Sequence, residues 1–202
     1  LGYNPSTATP PNVHDAVRLP GGSSSGAAAS VAHGLAAIGI GSDTGGSVRV
    51  PSGWNDLVGL KTTPGRLSLE GVVPLCETFD TVGPLARTVE DAALMLAALE
   101  GGKATDLTGA SLTGARFAVL KDIVLDGLET APAAGFDRAL SAFAAAGATI
   151  DDLHAPEVVD AMANAGPLFT AEAYGTWKDE IEAAPDKMFA AILARFRTGA
   201  DV

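Results

Sequence analysis

The sequence predicts an α/β fold with a mixed, mostly buried β-sheet covered by helices on both faces. Three observations carry this. Segments of strand character and helix character alternate along much of the chain, which is the α/β pattern. Hydrophobic residues make up 47% of the 202 and charged residues only 18%, so a chain of this length buries a core without disulfide or metal staples. The glycine and serine clusters are separated by apolar segments of element length, and therefore read as tight turns within a core rather than as flexible linker.

The elements follow in order. Gly21-Gly22-Ser23-Ser24-Ser25-Gly26 leads into residues 27–33, which are small on every face. A short buried helix is expected there, with Ser24 or Ser25 capping its start and Gly34 ending it. Residues 35–40 are expected as a buried strand entering a second glycine cluster at 39–47, and 58–61 is strand-like. Residues 88–99 carry apolar side chains at helical spacing, with Thr88 as N-cap, Glu90 and Asp91 in the first turn, and Gly101-Gly102 as the stop. Next come a strand at 116–120, an amphipathic helix at 131–146 opened by Pro132, and a strand at 148–150. Beyond residue 155 the pattern is only helical: 157–165, 171–182 and 186–197, separated by Pro167 and Pro185.

Composition excludes several functions. With 24 acidic against 13 basic residues and a net charge of −11, neither a nucleic-acid backbone nor an anionic membrane surface is the expected partner. No apolar run reaches the roughly 18–20 residues of a spanning helix. The single cysteine, Cys76, forms no internal disulfide, which fits a reducing, cytoplasmic setting, and it reads as a small buried residue. The chain opens on Leu1 without a basic or apolar leader pattern, and is expected to start inside a longer reading frame or to have lost its start. No spaced His or Cys set suggests a metal, and no Gly-Lys-Ser/Thr suggests a nucleotide loop, so neither metal nor cofactor is expected. His14, His33 and His154 lack a G-x-S-x-G elbow to serve, and Asp43-Thr44-Gly45 lacks the second such loop that an aspartic protease needs.

Amide and ester chemistry needs an activated nucleophile, a proton shuttle and donors aimed at the oxygen that becomes negative. In Asp43-Thr44-Gly45-Gly46-Ser47 the paired glycines allow consecutive N–H groups to converge on one point, with Ser47 at the edge. On composition alone this is also an ordinary turn. Asp43 and Arg49 flank the loop, and each is costly to bury unless paired, so both are expected to brace it.

The combination of motifs resembles the amidase signature family of serine hydrolases. The likeness rests on Gly21-Gly22-Ser23-Ser24, on residues 41–51 (Gly-Ser-Asp-Thr-Gly-Gly-Ser-Val-Arg-Val-Pro), on Val58-Gly59-Leu60-Lys61-Thr62-Thr63, and on residues 80–91 from Asp80 to Asp91. The resemblance implies Ser47 as nucleophile and Ser23, after a cis peptide bond, as the residue relaying a proton between Ser47 and a neutral lysine. It places the oxyanion cradle at the N–H groups of Thr44, Gly45, Gly46 and Ser47, and gives Ser24 a supporting role.

The family's lysine belongs upstream of Leu1. Lys61 reads as structural, and Lys121-Asp122 imitates the lysine segment but follows Ser47. The family domain is about twice this length, so the chain corresponds to its central part, with catalytic loops at 18–66, an α/β continuation at 80–153 and a helical segment at 155–202. The implied reaction is hydrolysis of a small-molecule amide. The alternatives are the amidase subunit of a multi-subunit glutaminyl- or asparaginyl-tRNA amidotransferase, and an inactive fragment with a structural or interaction role. A homodimer is left open. Trp54-Asn55-Asp56 is a candidate lining for the acyl pocket.

Overall fold

The computed structural model describes residues 2–202. They form two compact units, one comprising the residues up to Asp106 together with Phe169–Val202, the other Leu107–Leu168.

In the first unit α1 (Ser25–Ala32) is followed by β1 (Gly39–Ser42), α2 (Arg49–Trp54), β2 (Val58–Gly59), β3 (Val82–Ala86) and α3 (Val89–Glu100). The three strands form an antiparallel sheet in the order β1-β3-β2, with Ser42 opposite Val82 and Gly59 opposite Leu85. Pro84 sits in the central strand, where proline is rare. Its carbonyl accepts from the Leu60 N–H at 3.0 Å, so its missing N–H faces the β2 side, past the end of that two-residue strand. The ladder to β1 is left whole. Buried beneath are Ala28 of α1, Val48 beside the second glycine loop and Leu85 of β3, with Ala27 and Leu57 packed on them.

In the second unit β4 (Arg116–Leu120) pairs in parallel with β5 (Thr149–Leu153) across α4 (Thr130–Ala145). Phe143 of α4 packs on Phe117 of β4 with ring centroids 5.0 Å apart. α5 (Glu157–Ala183) begins in this unit and ends in the first, followed by a 3-10 turn at Pro185–Lys187, α6 (Ala190–Arg197) and a second 3-10 turn at Thr198–Asp201. No helix among the described residues is long and apolar enough to cross a membrane.

The α/β class holds, with antiparallel and parallel pairing present in two separate small sheets. Three local expectations need correction. Residues 35–38 are not strand. Gly34, at φ +73°, donates to Val31 O while Leu35 donates to Ser30 O at 2.8 Å, a Schellman closure that turns the chain and leaves Leu35 83% exposed. Pro167 does not divide the C-terminal helix. It removes one hydrogen bond, yet Thr170, Ala173 and Ile181 beyond it are buried and hold the second half of α5 in place. Ser24 does not cap α1 through its side chain, because its hydroxyl is engaged elsewhere.

Candidate active site

Ser23 and Ser24 close the first glycine-serine loop. The Gly22–Ser23 peptide bond is cis, Ser23 is exposed and Ser24 half-buried. Ser24 reaches across to the second loop twice: its Oγ donates to Ser42 O at 3.3 Å and its N–H donates to Ser47 O at 3.2 Å. The approach depends on glycine at position 41, where a Cβ would lie 2.6 Å from Ser24 Oγ and 2.9 Å from Ser24 Cβ.

The second loop is bent around Asp43, whose side chain is fully buried. Its carboxylate accepts the N–H groups of Gly46 at 2.7 Å, Val48 at 3.1 Å and Arg49 at 3.3 Å. It also takes a two-pronged ion pair, with Arg49 Nε on Oδ2 and Nη2 on Oδ1, each at 3.0 Å. Burial works against this charge, but the Arg49 guanidinium and the three amides outweigh it and hold the pKa down at about 2. The same hydrogen bond pushes Arg49 above its ordinary value. Gly46 adopts φ +124°, a backbone region that other residues rarely enter.

The Gly46 N–H is turned inward to Asp43. The N–H groups of Thr44, Gly45 and Ser47 make no hydrogen bond among the described residues. Nothing lies within 4 Å of where a Gly45 Cβ would be, and Gly45 is exposed. Ser47 is half-buried, and its hydroxyl and that of Ser23 are likewise without hydrogen bonds among the described residues. No hydrogen bond joins the two hydroxyls, and the hydrogen bonds between the loops run through Ser24.

Two residues at the loop entered the sequence reading only as part of the 80–91 motif and were given no role there. Thr81 exchanges both main-chain bonds with Asp43, N–H to O at 2.8 and 3.1 Å, and its hydroxyl donates to Asp43 O at 2.7 Å. Asp80, only 6% exposed, accepts the Thr44 hydroxyl and the N–H groups of Leu75 at 2.7 Å and Cys76 at 3.0 Å. The available signal was their place at the head of that motif. Asp80 also lines a cavity of about 340 Å³ with Leu69, Val72, Pro74 and Glu77.

Other candidates fall elsewhere. Asn55 is buried, donates to Pro20 O and Pro51 O at 2.7 and 2.8 Å and accepts from the Val13 N–H. It ties the N-terminal segment to α2, which leaves its amide no part in an acyl pocket. Trp54 is half-exposed, and Asp56 is exposed in the left-handed region. Lys61 Nζ donates to Thr62 O at 2.9 Å, and Lys121 pairs with Asp152 in the second unit. His33 faces Pro11 O, and His154 faces Asp122 in the second unit.

The family model described as Amidase matches residues 2–199. Among curated relatives, a glutamyl-tRNA(Gln) amidotransferase subunit from Ligilactobacillus salivarius is 40% identical over 158 residues, 72% of this chain and 32% of that protein. The protein of the same name from Chlorobium phaeobacteroides is 40% identical over 177 residues, 81% of this chain and 37% of its own. A crystal structure of an amidase superposes on the whole chain and on 45% of its own with a TM-score of 0.91 at 31% identity. The corresponding glutamyl-tRNA(Gln) amidotransferase subunit from Thermotoga maritima follows over 95% of this chain and 45% of its own at TM-score 0.78 and 28% identity. The chain thus spans about a third of the length of these curated relatives. Both serine loops and the Asp80-Thr81 pair lie within the matched span, and the chain belongs to the amidase signature family.

Proposed function

We propose that this chain carries the nucleophile centre of an amidase that hydrolyses a small carboxamide to a carboxylate and ammonia or an amine. The observation that carries the reading is the second loop: Asp43 takes the Gly46 amide, while those of Thr44, Gly45 and Ser47 and the Ser47 hydroxyl make no hydrogen bond among the described residues. Ser47 Oγ attacks the carbonyl carbon, and the carbonyl oxygen takes the negative charge within reach of the unengaged amides. The Ser47 proton passes to Ser23 as Ser23 gives its own to a neutral lysine upstream of Leu1. Ser23 then protonates the leaving nitrogen as the lysine returns its proton to Ser23, the C–N bond breaks and acyl-Ser47 forms with the lysine neutral again. Water, deprotonated by the same route, releases the carboxylate and restores Ser47. Asp43, Arg49 and Ser24 hold the two loops in register, and the protein works in a reducing cytoplasm on a small-molecule amide.

Two measurements on the longer polypeptide that includes the upstream lysine test this. An alkyl fluorophosphonate should attach to Ser47, its oxygen replacing fluoride on phosphorus, and mass spectrometry should place the adduct there. Ammonia release from glutamine and benzamide should fall at least 10³-fold in Ser47→Ala with the melting temperature held. Equal release by wild type and Ser47→Ala would overturn the reading. The names of the curated relatives favour a second version, in which the same chemistry serves as the amidase subunit of a multi-subunit glutamyl-tRNA(Gln) amidotransferase. In that version ammonia release rises on adding the partner subunits; in a free-standing amidase it does not change.

A further inference from the structure

The nucleophile loop is held from two directions. Asp43 and Arg49 grip its far end at Gly46 and Val48, while its near end is held from residues 74–81. Asp80 is buried, with one carboxylate oxygen receiving the amides of Leu75 and Cys76 and the other receiving the Thr44 hydroxyl. Its own N–H donates to Cys76 O at 2.8 Å, so the carboxylate is fixed within its loop before it meets Thr44. That loop is pinned in turn to the second half of α5. Glu172 accepts the Thr78 N–H at 2.9 Å, and Trp177 Nε1 donates to Pro74 O at 2.8 Å.

Among the described residues, Thr44 is the one residue of the loop whose side chain is anchored outside it and whose amide makes no hydrogen bond. A β-branched side chain has few χ1 choices, and a hydroxyl held by a fixed carboxylate selects one. Selecting it constrains the Thr44 backbone and therefore the direction of the Thr44 and Gly45 N–H groups.

We propose that Asp80 is a positioning residue of this site: acting through the Thr44 hydroxyl, it aims the amides that receive the developing oxyanion. The inference rests on the amide-hydrolysis reading and adds to it a residue that touches neither substrate nor nucleophile. Donors aimed at an oxygen that becomes negative only in the transition state affect kcat rather than substrate binding.

The test compares, in the longer polypeptide that includes the upstream lysine, Thr44→Val, which keeps the shape and removes the hydroxyl, with Thr44→Ser, which keeps the hydroxyl, in ammonia release from glutamine and benzamide. Thr44→Val should lower kcat at least 10-fold with KM within twofold of wild type, and Thr44→Ser should stay within threefold of wild type. Adding Asp80→Ala to Thr44→Val should lower kcat by no more than a further twofold, because the residue acts through the bond already removed. A Thr44→Val enzyme with kcat within threefold of wild type, a loss confined to KM, or a Thr44→Ser enzyme no better than Thr44→Val overturns the proposal. If Asp80→Ala does not fold, the two Thr44 variants decide the matter, since their side chains fit the same space. Ser47→Ala is run beside them. Turnover that survives it defeats the amide-hydrolysis reading and this proposal together, whereas turnover lost in Ser47→Ala but retained in Thr44→Val defeats the proposal alone.

Discussion

Asp43→Asn probes the anchor of the second glycine loop. The carboxylate sits at a pKa of about 2 against an ordinary 3.8, a difference of just under two units, or about 2 kcal/mol at 1.36 kcal/mol per unit. The Arg49 side chain is 53% exposed, so water screens part of that interaction and the figure is an upper one for the charge alone. Asparagine also offers one acceptor oxygen where the carboxylate offers two, while three amides and the guanidinium converge there. Together these set the expected loss at about 2–4 kcal/mol, or roughly 5–15 °C in melting temperature for a domain of this size. The sign in pH follows from the depressed pKa. The charge contribution is fully present above about pH 4, where the unfolded carboxyl is ionised, and is lost as pH falls through about 2, where the folded one takes up its proton. Thermal melts of wild type and Asp43→Asn followed by circular dichroism between pH 7 and pH 2.5 should show a gap that is wide at neutral pH and narrows below pH 4. A gap under 1 °C at pH 7, or one equally wide at both ends of the series, would refute the account of Asp43 as a charged anchor.

Three further outcomes are expected. Leu85→Ala empties the centre of a small core where Leu85 is fully buried against Ala28 and Val48; it should cost about 2–4 kcal/mol, read as a lower urea midpoint at constant m-value. Thr88→Ala removes the hydroxyl that accepts the Asp91 N–H at the start of α3; a loss of about 1 kcal/mol is expected, with Thr88→Ser close to wild type in the same titration. Cys76 is fully buried, and burial together with a hydrogen bond to the Glu172 carboxylate pushes its thiol up to about 12. A thiol-reactive chromogen at pH 8 should leave the native protein unlabelled and label it once on unfolding, and rapid native labelling would show that the 74–80 loop is not pinned as described.

Local features of this protein were legible because their causes are local. The cap at Thr88, the stops at Gly34 and Gly101, the short helix of small residues after Ser24 and the two glycine loops each depend on neighbours within a few positions. β3 was not legible. Gly83 and Pro84 suppress its strand signal, and proline is tolerated there only because its missing N–H faces the side where β2 ends. The unbroken α5 was hidden for a similar reason, since burial of Thr170, Ala173 and Ile181 offsets the bond lost at Pro167. α2 escaped notice because six residues containing Pro51 and Gly53 carry little helical signal, although Pro51 falls in the first turn, where an N–H has no partner in the helix.

By itself the sequence determined which residues stand in the two loops, that glycine allows them to bend, and that an acidic, cysteine-poor chain of this composition builds an α/β core. The tertiary structure alone decided what those loops are fastened to. Thr44 meets Asp80 across 36 positions and Asp43 meets Thr81 across 38, while Ser24, rather than Ser23, ties the first loop to Ser47. Such pairings leave little trace in a single sequence, because a buried carboxylate is stabilised by whichever donors the completed fold brings to it.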